Sequence, residues 1–209
     1  MARIKSLLKI EGINIAKVAD VDFSQLKSCI AEKLLPNLSS ELCGEQALLQ
    51  LVNEQLDTCE GRQRDNLARG TTRADEQAVK LQLLKAIGPV TSNTLAHEMF
   101  GWRTFANRRQ VGGFTGLCGT PFNSGSCNRD QGISKEGNHR ARRVLVEVAW
   151  IWLRYQPDSV ITQWFESRFA DGSARQRRVG IVGVARRLAI ALWHYVEHDQ
   201  LPQGAVLSK

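Results

Sequence analysis

The feature that most constrains the fold is an apolar stripe near the C-terminal end of the chain, between Arg178 and Glu197. Apolar residues recur there at the spacings of one face of an α-helix, and they are Ile181, Ala185, Leu188, Ala189, Leu192 and Val196. The other face carries Arg186, Arg187, His194 and Glu197. A helix of this kind must bury its apolar face against other elements, so the segment predicts a core helix of a globular domain.

A second strong helix is predicted from about Asn138 to Tyr155, with arginines in its first turns and an apolar run after them. No segment shows a convincing alternation of apolar and polar residues, which is the pattern of a half-buried strand. The predicted fold class is therefore mainly α, a helical arm followed by a helical C-terminal domain. The five tryptophans (Trp102, Trp150, Trp152, Trp164 and Trp193) are interpreted as core residues of that domain.

The arm is assigned to residues 1–74. Ser39-Ser40-Glu41 offers a helix N-cap, and a long polar helix is expected from there to about Arg69. Along it Leu42, Leu49, Val52, Leu56 and Cys59 form a seam with the spacing of a coiled coil. The seam is short, so two interpretations stay open: a coiled coil, or a helix that packs on the core of its own domain.

The second domain is assigned to residues 75–209 and is predicted to begin with a helix-hairpin-helix over about residues 79–99. Val79, Leu83 and Leu84 form the apolar side of its first helix, and the second helix begins at Pro89 or Val90. Such a hairpin presents backbone N–H groups near Gly88 to a DNA phosphate without reading sequence. The usual Gly-Ile-Gly turn is here Ala86-Ile87-Gly88, and a purely structural turn is the alternative.

Basic residues are concentrated in the second half of the chain, where residues 101–209 hold 16 Lys and Arg against 8 Asp and Glu. The first 100 residues hold 12 against 13, so the excess behind the formal charge of +7 lies wholly in the second half. Most of it is arginine, whose planar fork suits phosphate, and this favours a polyanionic partner.

Few residues suggest metal, disulfide or membrane chemistry. The five cysteines form no Cys-x-x-Cys pair and the four histidines have no zinc spacing, a pattern that fits a reducing cytoplasm. The longest apolar stretch, Val144–Leu153, is interrupted by Glu147 and is too short to span a bilayer, so no membrane is expected among the partners. No nucleotide-binding fingerprint or set of converging carboxylates stands out.

Residues 112–137 are rich in glycine and lack any helical or strand period, so a long functional loop is predicted there. Ser124 lies in this loop between Asn123 and Gly125, with Ser126 two positions on. A serine hydroxyl that attacks a DNA phosphodiester conserves the bond energy in a phosphoserine linkage, and neighbouring cations stabilise the transition state. Spacing alone leaves a plain turn serine as the alternative.

Several runs resemble one family of insertion-sequence transposases. They are Phe100-Gly101-Trp102-Arg103-Thr104-Phe105, Pro121-Phe122-Asn123-Ser124-Gly125, Gln131-Gly132-Ile133-Ser134-Lys135-Glu136-Gly137-Asn138 and Trp152-Leu153-Arg154-Tyr155-Gln156-Pro157. The resemblance is specific over residues 80–207 and looser over 1–79, where family members carry a linking coiled coil. Members of this family pair an N-terminal RuvC-like domain with a C-terminal transposase domain that bears a catalytic serine, and some are guided by a structured RNA.

The resemblance implies DNA transposition or recombination, with Ser124 as the nucleophile and Ser126 as the second choice. It also gives Asn138, Arg140 and Arg143, at the start of the 138–155 helix, as candidate phosphate contacts. Arg129 and Lys135 join the candidates because they are cations in the loop that carries Ser124. DNA, a structured guide RNA and further copies of the chain are the partners expected, in a bacterial cytoplasm.

The family's RuvC-like domain has no counterpart in residues 1–209, so a truncated copy is expected. No cofactor is expected in this chain, and Mg²⁺ only together with that domain. A non-catalytic nucleic-acid-binding fragment is the alternative function.

Overall fold

The computed structural model describes residues 1–10, 12–15, 18, 36–124 and 127–208, with the backbone alone for 36–39 and 121–131. The described helices are α1 (Ala2–Ile10), α2 (Pro36–Arg69), α3 (Arg73–Gln82), α4 (Pro89–Leu95, continued by a π-helix over Ala96–Phe100), α5 (Arg108–Thr115), α6 (His139–Tyr155), α7 (Val160–Phe169) and α8 (Ala174–His198). Strands β1 (Gly119–Ser124) and β2 (Cys127–Ile133) form an antiparallel pair between α5 and α6. The prediction of a mainly α fold is confirmed.

The chain divides into two compact units, Met1–Asp65 and Asn66–Lys209. The predicted boundary between residues 74 and 75 therefore lies within the second unit. In the first unit Ile4 and Leu8 of α1 are buried with Val18 and with Leu42 of α2.

Helix α8 is the centre of the second unit. All six residues of the predicted apolar stripe are buried there, with exposures of 0–8%, and Arg186 and Arg187 are exposed as predicted. By length and composition α8 is apolar enough to cross a membrane, but 56% of its most apolar window is buried inside the protein, as in the core helix of a globular domain.

Helix α6 packs against α8 through residues one helical turn apart. Leu145, Val148, Ala149 and Trp152 of α6 are all buried to within 1% exposure, which is the i, i+3, i+4, i+7 pattern of one face. Each large apolar side chain that is fully buried in this way stabilises the fold by about 1.5 to 3 kcal/mol.

The interpretation of all five tryptophans as core residues was too broad. Trp152 and Trp193 are buried, whereas Trp102 and Trp150 are exposed by 63% and 45%. Trp164 is half-buried. Amphipathic indoles tolerate a partly exposed position because one edge carries a polar N–H.

The prediction of a continuous loop over residues 112–137 was wrong, because α5 and the β1–β2 hairpin occupy most of it. Asn107 caps α5 by accepting hydrogen bonds from the N–H groups of Arg109 and Gln110, both at 3.0 Å. Gly116 ends it in the left-handed conformation, with φ 64°. Gly112 and Gly113 lower the intrinsic helix propensity of this segment, which is why its sequence pattern indicates a loop.

Helices α3 and α4 are joined by a short turn where the predicted hairpin lies. The apolar side of α3 was assigned wrongly in part: Val79 and Leu83 are exposed by 43% and 48%, and Ala78 and Leu81 are buried with Leu84. The left-handed residue of the turn is Ala86, with φ 96°, which is the position where the usual hairpin has its first glycine. The N–H of Lys85 donates to the carbonyl of Val206 at 3.1 Å, so the C-terminal segment holds this turn.

The predicted seam of α2 divides into two parts. Leu42 is buried in the first unit and Leu49 packs against the same cluster, as expected for a helix on its own core. Val52 and Leu56 are exposed by 50% and 54%, and Cys59 is also exposed. Coiled-coil pairing of this second part stays a prediction.

Candidate nucleic-acid interface

The base of the β1–β2 hairpin is fastened to the end of α5 by three backbone hydrogen bonds. The N–H of Ser134 donates to Cys118 O at 2.9 Å, and that of Lys135 to Gly116 O at 3.2 Å. The N–H of Asn138 donates to Phe114 O at 2.7 Å. These bonds fix where both strands begin and end, because backbone groups at a strand base have little freedom once paired.

Ser124, the predicted nucleophile, is the last residue of β1 and pairs with Cys127, the first residue of β2. The register continues through Asn123 with Asn128 and Phe122 with Arg129, and a bulge lies nearer the base, between Gly119 and Pro121. Arg129, a predicted phosphate contact, is therefore on the strand opposite Ser124. Ser126, the second choice for the nucleophile, lies outside the described residues.

Asn138 is the N-cap of α6. Its Oδ1 accepts from the N–H groups of Arg140 and Ala141, both at 3.0 Å. Its Nδ2 donates to Oε2 of Glu98 at 2.8 Å. The side chain is thus fully engaged within the protein, and its cap contributes about 1 kcal/mol to the stability of α6.

Glu98 is a residue that the sequence reasoning missed. It lies in the π-helix after α4, and its Oε1 accepts from Arg140 at 3.0 Å. Hydrogen bonds from Asn138 and then from Arg140 hold the pKa of the Glu98 carboxyl below its ordinary value, against a smaller opposing effect of burial. Glu98 therefore stays ionised and holds two of the predicted phosphate contacts. Nothing in the local sequence distinguishes the π-helix, so no sequence signal pointed to Glu98.

The other predicted phosphate contacts near α6 are more accessible. Arg143 is 80% exposed and its Nε lies 3.0 Å from Glu147 one turn on, a surface ion pair of small energetic value. Lys135 is exposed and adopts a left-handed backbone, with φ 58°. Arg142, by contrast, donates to the carbonyl of Thr115 at 3.1 Å and so caps the C-terminal end of α5.

Gly88, the predicted contact in the α3–α4 turn, is the N-cap of α4. Its backbone is extended, with φ −86° and ψ 174°, and no side chain caps the first turn of the helix. A glycine N-cap supplies no side-chain acceptor to the first turn of α4, and a role for the backbone near Gly88 in phosphate binding stays a prediction.

The turn Gly132-Ile133-Ser134-Lys135 predicts that Ser134 caps the following helix, and this prediction was wrong. Asn138 takes that role, and the Ser134 hydroxyl lies 3.5 Å from the carbonyl of Gly116. Among the side chains that the structure describes, no group of three or more His, Cys, Asp and Glu residues could hold a metal ion.

Comparison with known proteins shows which family part of this chain resembles. Residues 78–163 match the family described as "Transposase IS116/IS110/IS902 family". The chain is 34% identical over 217 residues to the Sinorhizobium fredii protein y4rJ, across 98% of this chain and 54% of that protein. It is 28% identical over 159 residues to the transposase for insertion sequence element IS1328 of Yersinia enterocolitica, across 75% of this chain and 43% of that protein.

Both relatives carry the word transposase in their names, and the chain spans about half the length of each. The predicted resemblance to insertion-sequence transposases is confirmed by these matches, and the matched segment runs from α3 to the start of α7. It includes the α3–α4 turn, the hairpin and all of α6.

Proposed function

Starting from residues 78–163 as a segment of the IS116/IS110/IS902 transposase type, we propose that this chain binds DNA and exchanges strands through the hydroxyl of Ser124. The observation that carries the proposal is the place of Ser124 at the end of β1, on a hairpin whose base is fastened to α5. A nucleophile at a strand end, on a fixed support, can reach a bound backbone without the support moving.

The chemistry is a phosphoryl transfer. The Ser124 Oγ forms a bond to phosphorus as it loses its proton, and the bond from phosphorus to one deoxyribose oxygen breaks. That oxygen leaves as a hydroxyl after it gains a proton. The resulting phosphoserine retains the bond energy, so the attack of a DNA hydroxyl on it rejoins strands without a nucleotide cofactor.

Positive charge beside the reacting phosphate is needed to stabilise the transition state. The predicted candidates are Arg129 on β2 and Lys135 at the base of the hairpin. Arg143 on α6 is exposed and adds to this charge. We assign any Mg²⁺ to a RuvC-like domain of the same enzyme type and not to this chain. A structured guide RNA is a second proposed partner.

Ser124→Ala is expected to abolish the covalent protein–DNA adduct on a nicked suicide substrate that carries the ends of the parent element. The chain is tested as it is and with the RuvC-like domain of a full-length relative supplied in trans. The readout is a denaturing gel with end-labelled DNA. The loss should be complete because the nucleophile itself is removed, and Ser134→Ala is the matched control that keeps the adduct.

A different pattern would contradict the assignment. An adduct that persists in Ser124→Ala and disappears in Ser126→Ala would move the nucleophile two residues along. Binding of DNA without an adduct in any variant would favour the second function considered, a non-catalytic nucleic-acid-binding module.

We also propose that further copies of this chain cover the exposed apolar residues of α2. Leu48, Leu51, Val52 and Leu56 are each exposed by 50–56%, which is unusual for so many neighbouring apolar side chains. Pairing of two such helices would remove these side chains from water.

Leu56→Glu is expected to convert an oligomer into a monomer, because a carboxylate would have to enter the apolar seam. Gln50→Glu is the matched control: residue 50 is exposed and lies at least about 100° around the helix from each of the four apolar residues. Sedimentation velocity measures the outcome. A wild-type chain that sediments as a monomer at high concentration would contradict the proposal.

A further inference from the structure

Two arginines of different helices lie over the ring of Trp164. The Cζ of Arg187, on α8, is 4.1 Å from the centre of the indole, and the Cζ of Arg168, on α7, is 5.6 Å from it. Both guanidinium groups are attracted by the negative face of the ring. The half-buried indole therefore holds two exposed cations in one place.

Helix geometry and one glycine produce this arrangement. Arg168 follows Trp164 by four residues and Arg187 follows Gly183 by four, so each pair lies on one face of its helix. A Cβ at Gly183 would lie 2.9 Å from Cη2 of Trp164. Only glycine at this position lets the indole lie against α8, where it meets Arg187.

A third arginine extends the cluster towards the hairpin. Arg186 lies close to Gly112 of α5 in space: its Nε would be 3.5 Å from a Cβ placed on that glycine. The Sγ of Cys118, one residue before β1, would lie 2.8 Å from the same point. We name Arg168, Arg186 and Arg187 the α7–α8 arginine cluster. Through Arg186 this cluster extends to the start of β1.

The cluster carries uncompensated positive charge among the described residues. None of the ion pairs in that part of the chain includes any of its three arginines, whereas Arg140 and Arg143 each have a carboxylate partner. Burial, and then the charges of Arg168 and Arg186, lower the pKa of Arg187. Three like charges held this close together favour the arrival of an anion.

We propose that the α7–α8 arginine cluster binds the phosphate backbone of duplex DNA next to the hairpin that carries Ser124. The inference rests on the proposed DNA function and adds to it a surface that the sequence did not indicate. Guanidinium forks bind phosphate oxygens in pairs, which suits a backbone contact. The Trp164 indole orients the forks, because both guanidinium groups lie against its ring. We therefore do not propose that a DNA base stacks on this indole.

Contacts of this kind position DNA without reading its sequence. They also release counterions, so each one lost changes the dependence of binding on salt. The test therefore uses a fluorescently labelled 30-base-pair duplex of arbitrary sequence and measures its anisotropy with the whole chain over a range of salt concentrations. The duplex length is about three turns, long enough to cover the cluster and the hairpin together.

The double variant R168Q/R187Q is expected to bind about tenfold more weakly, and its slope of log affinity against log salt should be smaller by about two. R187K retains the charge and should keep the wild-type slope. The matched control is R154Q: Arg154 is also exposed and lies over an aromatic ring, with its Cζ 5.6 Å from the centre of Tyr155. It should leave both the affinity and the slope unchanged.

A wild-type slope in R168Q/R187Q would overturn the cluster proposal. So would a double variant that binds the DNA duplex normally and loses affinity only for a duplex RNA of the same sequence. Circular dichroism identifies a variant that has failed to fold, in which case the single variants R168Q and R187Q decide the matter. A wild-type chain that does not bind the duplex would overturn the DNA function itself. Binding that depends on the cluster, without any Ser124 adduct, would leave this inference standing and remove only the serine chemistry.

Discussion

Gln156→Leu is expected to lower the free energy of unfolding of the second unit by about 2 to 4 kcal/mol, because it removes the three hydrogen bonds of a fully buried amide. Gln156 is fully buried at the end of α6. Its Nε2 donates to the carbonyls of Lys85 at 2.6 Å and Val206 at 2.8 Å, and its Oε1 accepts from the N–H of Val206 at 2.7 Å. Leucine has a similar volume but can replace none of these bonds.

The measurement is equilibrium unfolding in urea followed by tryptophan fluorescence. All five tryptophans lie in the second unit, so the signal reports on that unit alone. Gln163→Leu is the matched control, since Gln163 is exposed on α7 and its side chain donates a long hydrogen bond, 3.4 Å, to the carbonyl of Asp158. It should change the stability by no more than about 0.5 kcal/mol. Equal midpoints for the two variants would contradict the role given to Gln156.

Gly137→Ala is the second substitution with a large expected effect, a loss of about 3 to 5 kcal/mol in the same measurement. Gly137 has φ 131°, a backbone conformation that residues with a Cβ rarely adopt. An added Cβ would collide with the carbonyl oxygen of Phe114 and lie 2.9 Å from backbone atoms of Gly113 and Gly116. These are backbone atoms at the end of α5, so the clash cannot be relieved by turning a side chain.

Gly113→Ala provides the contrast for that substitution. Gly113 lies within α5 and has open space where its Cβ would be. Alanine there should stabilise the second unit by about 0.5 to 1 kcal/mol, since it restricts the unfolded chain and favours the helix. If both alanines destabilised equally, the cost at Gly137 would not come from its special conformation.

The two large effects have a common structural cause. Gln156 holds the C-terminal segment against the α3–α4 turn, and Gly137 allows the chain to leave the hairpin and enter α6 beside α5. Both residues belong to runs that resemble the transposase family, yet neither is a predicted site residue. Both residues lie near the proposed interface. A run can therefore be characteristic of a family because it supports the site, and not only because it carries the chemistry.

The helices with a strong period could be predicted because their residues carry the whole signal. The stripe of α8 predicts its buried face correctly, and the apolar run after the arginines predicts the extent of α6. The resemblance to insertion-sequence transposases could be predicted because several separate runs agree. Helix α7 and the short α1 were not predicted, since neither shows a long enough repeat.

The β1–β2 hairpin could not be predicted from local sequence patterns. Strands β1 and β2 contain a proline, glycines and few alternating apolar residues, and their pairing depends on partners across the turn and at the base. The apolar side of α3 failed for a similar reason. Val79 and Leu83 have the right character for a core face, but the packing of α3 in the second unit buries Ala78 and Leu81 instead.

By itself, the sequence determined the mainly α class, the core face of α8, the extent of α6 and the segment that resembles the transposases. The tertiary structure alone decided that Ser124 ends a strand, that Glu98 holds Asn138 and Arg140, and that Arg168 and Arg187 meet over Trp164. The physical reason is the range of the interactions. Helical periods and caps act within a few residues, whereas strand pairs, ion pairs and cation–ring contacts join residues that only folding brings together.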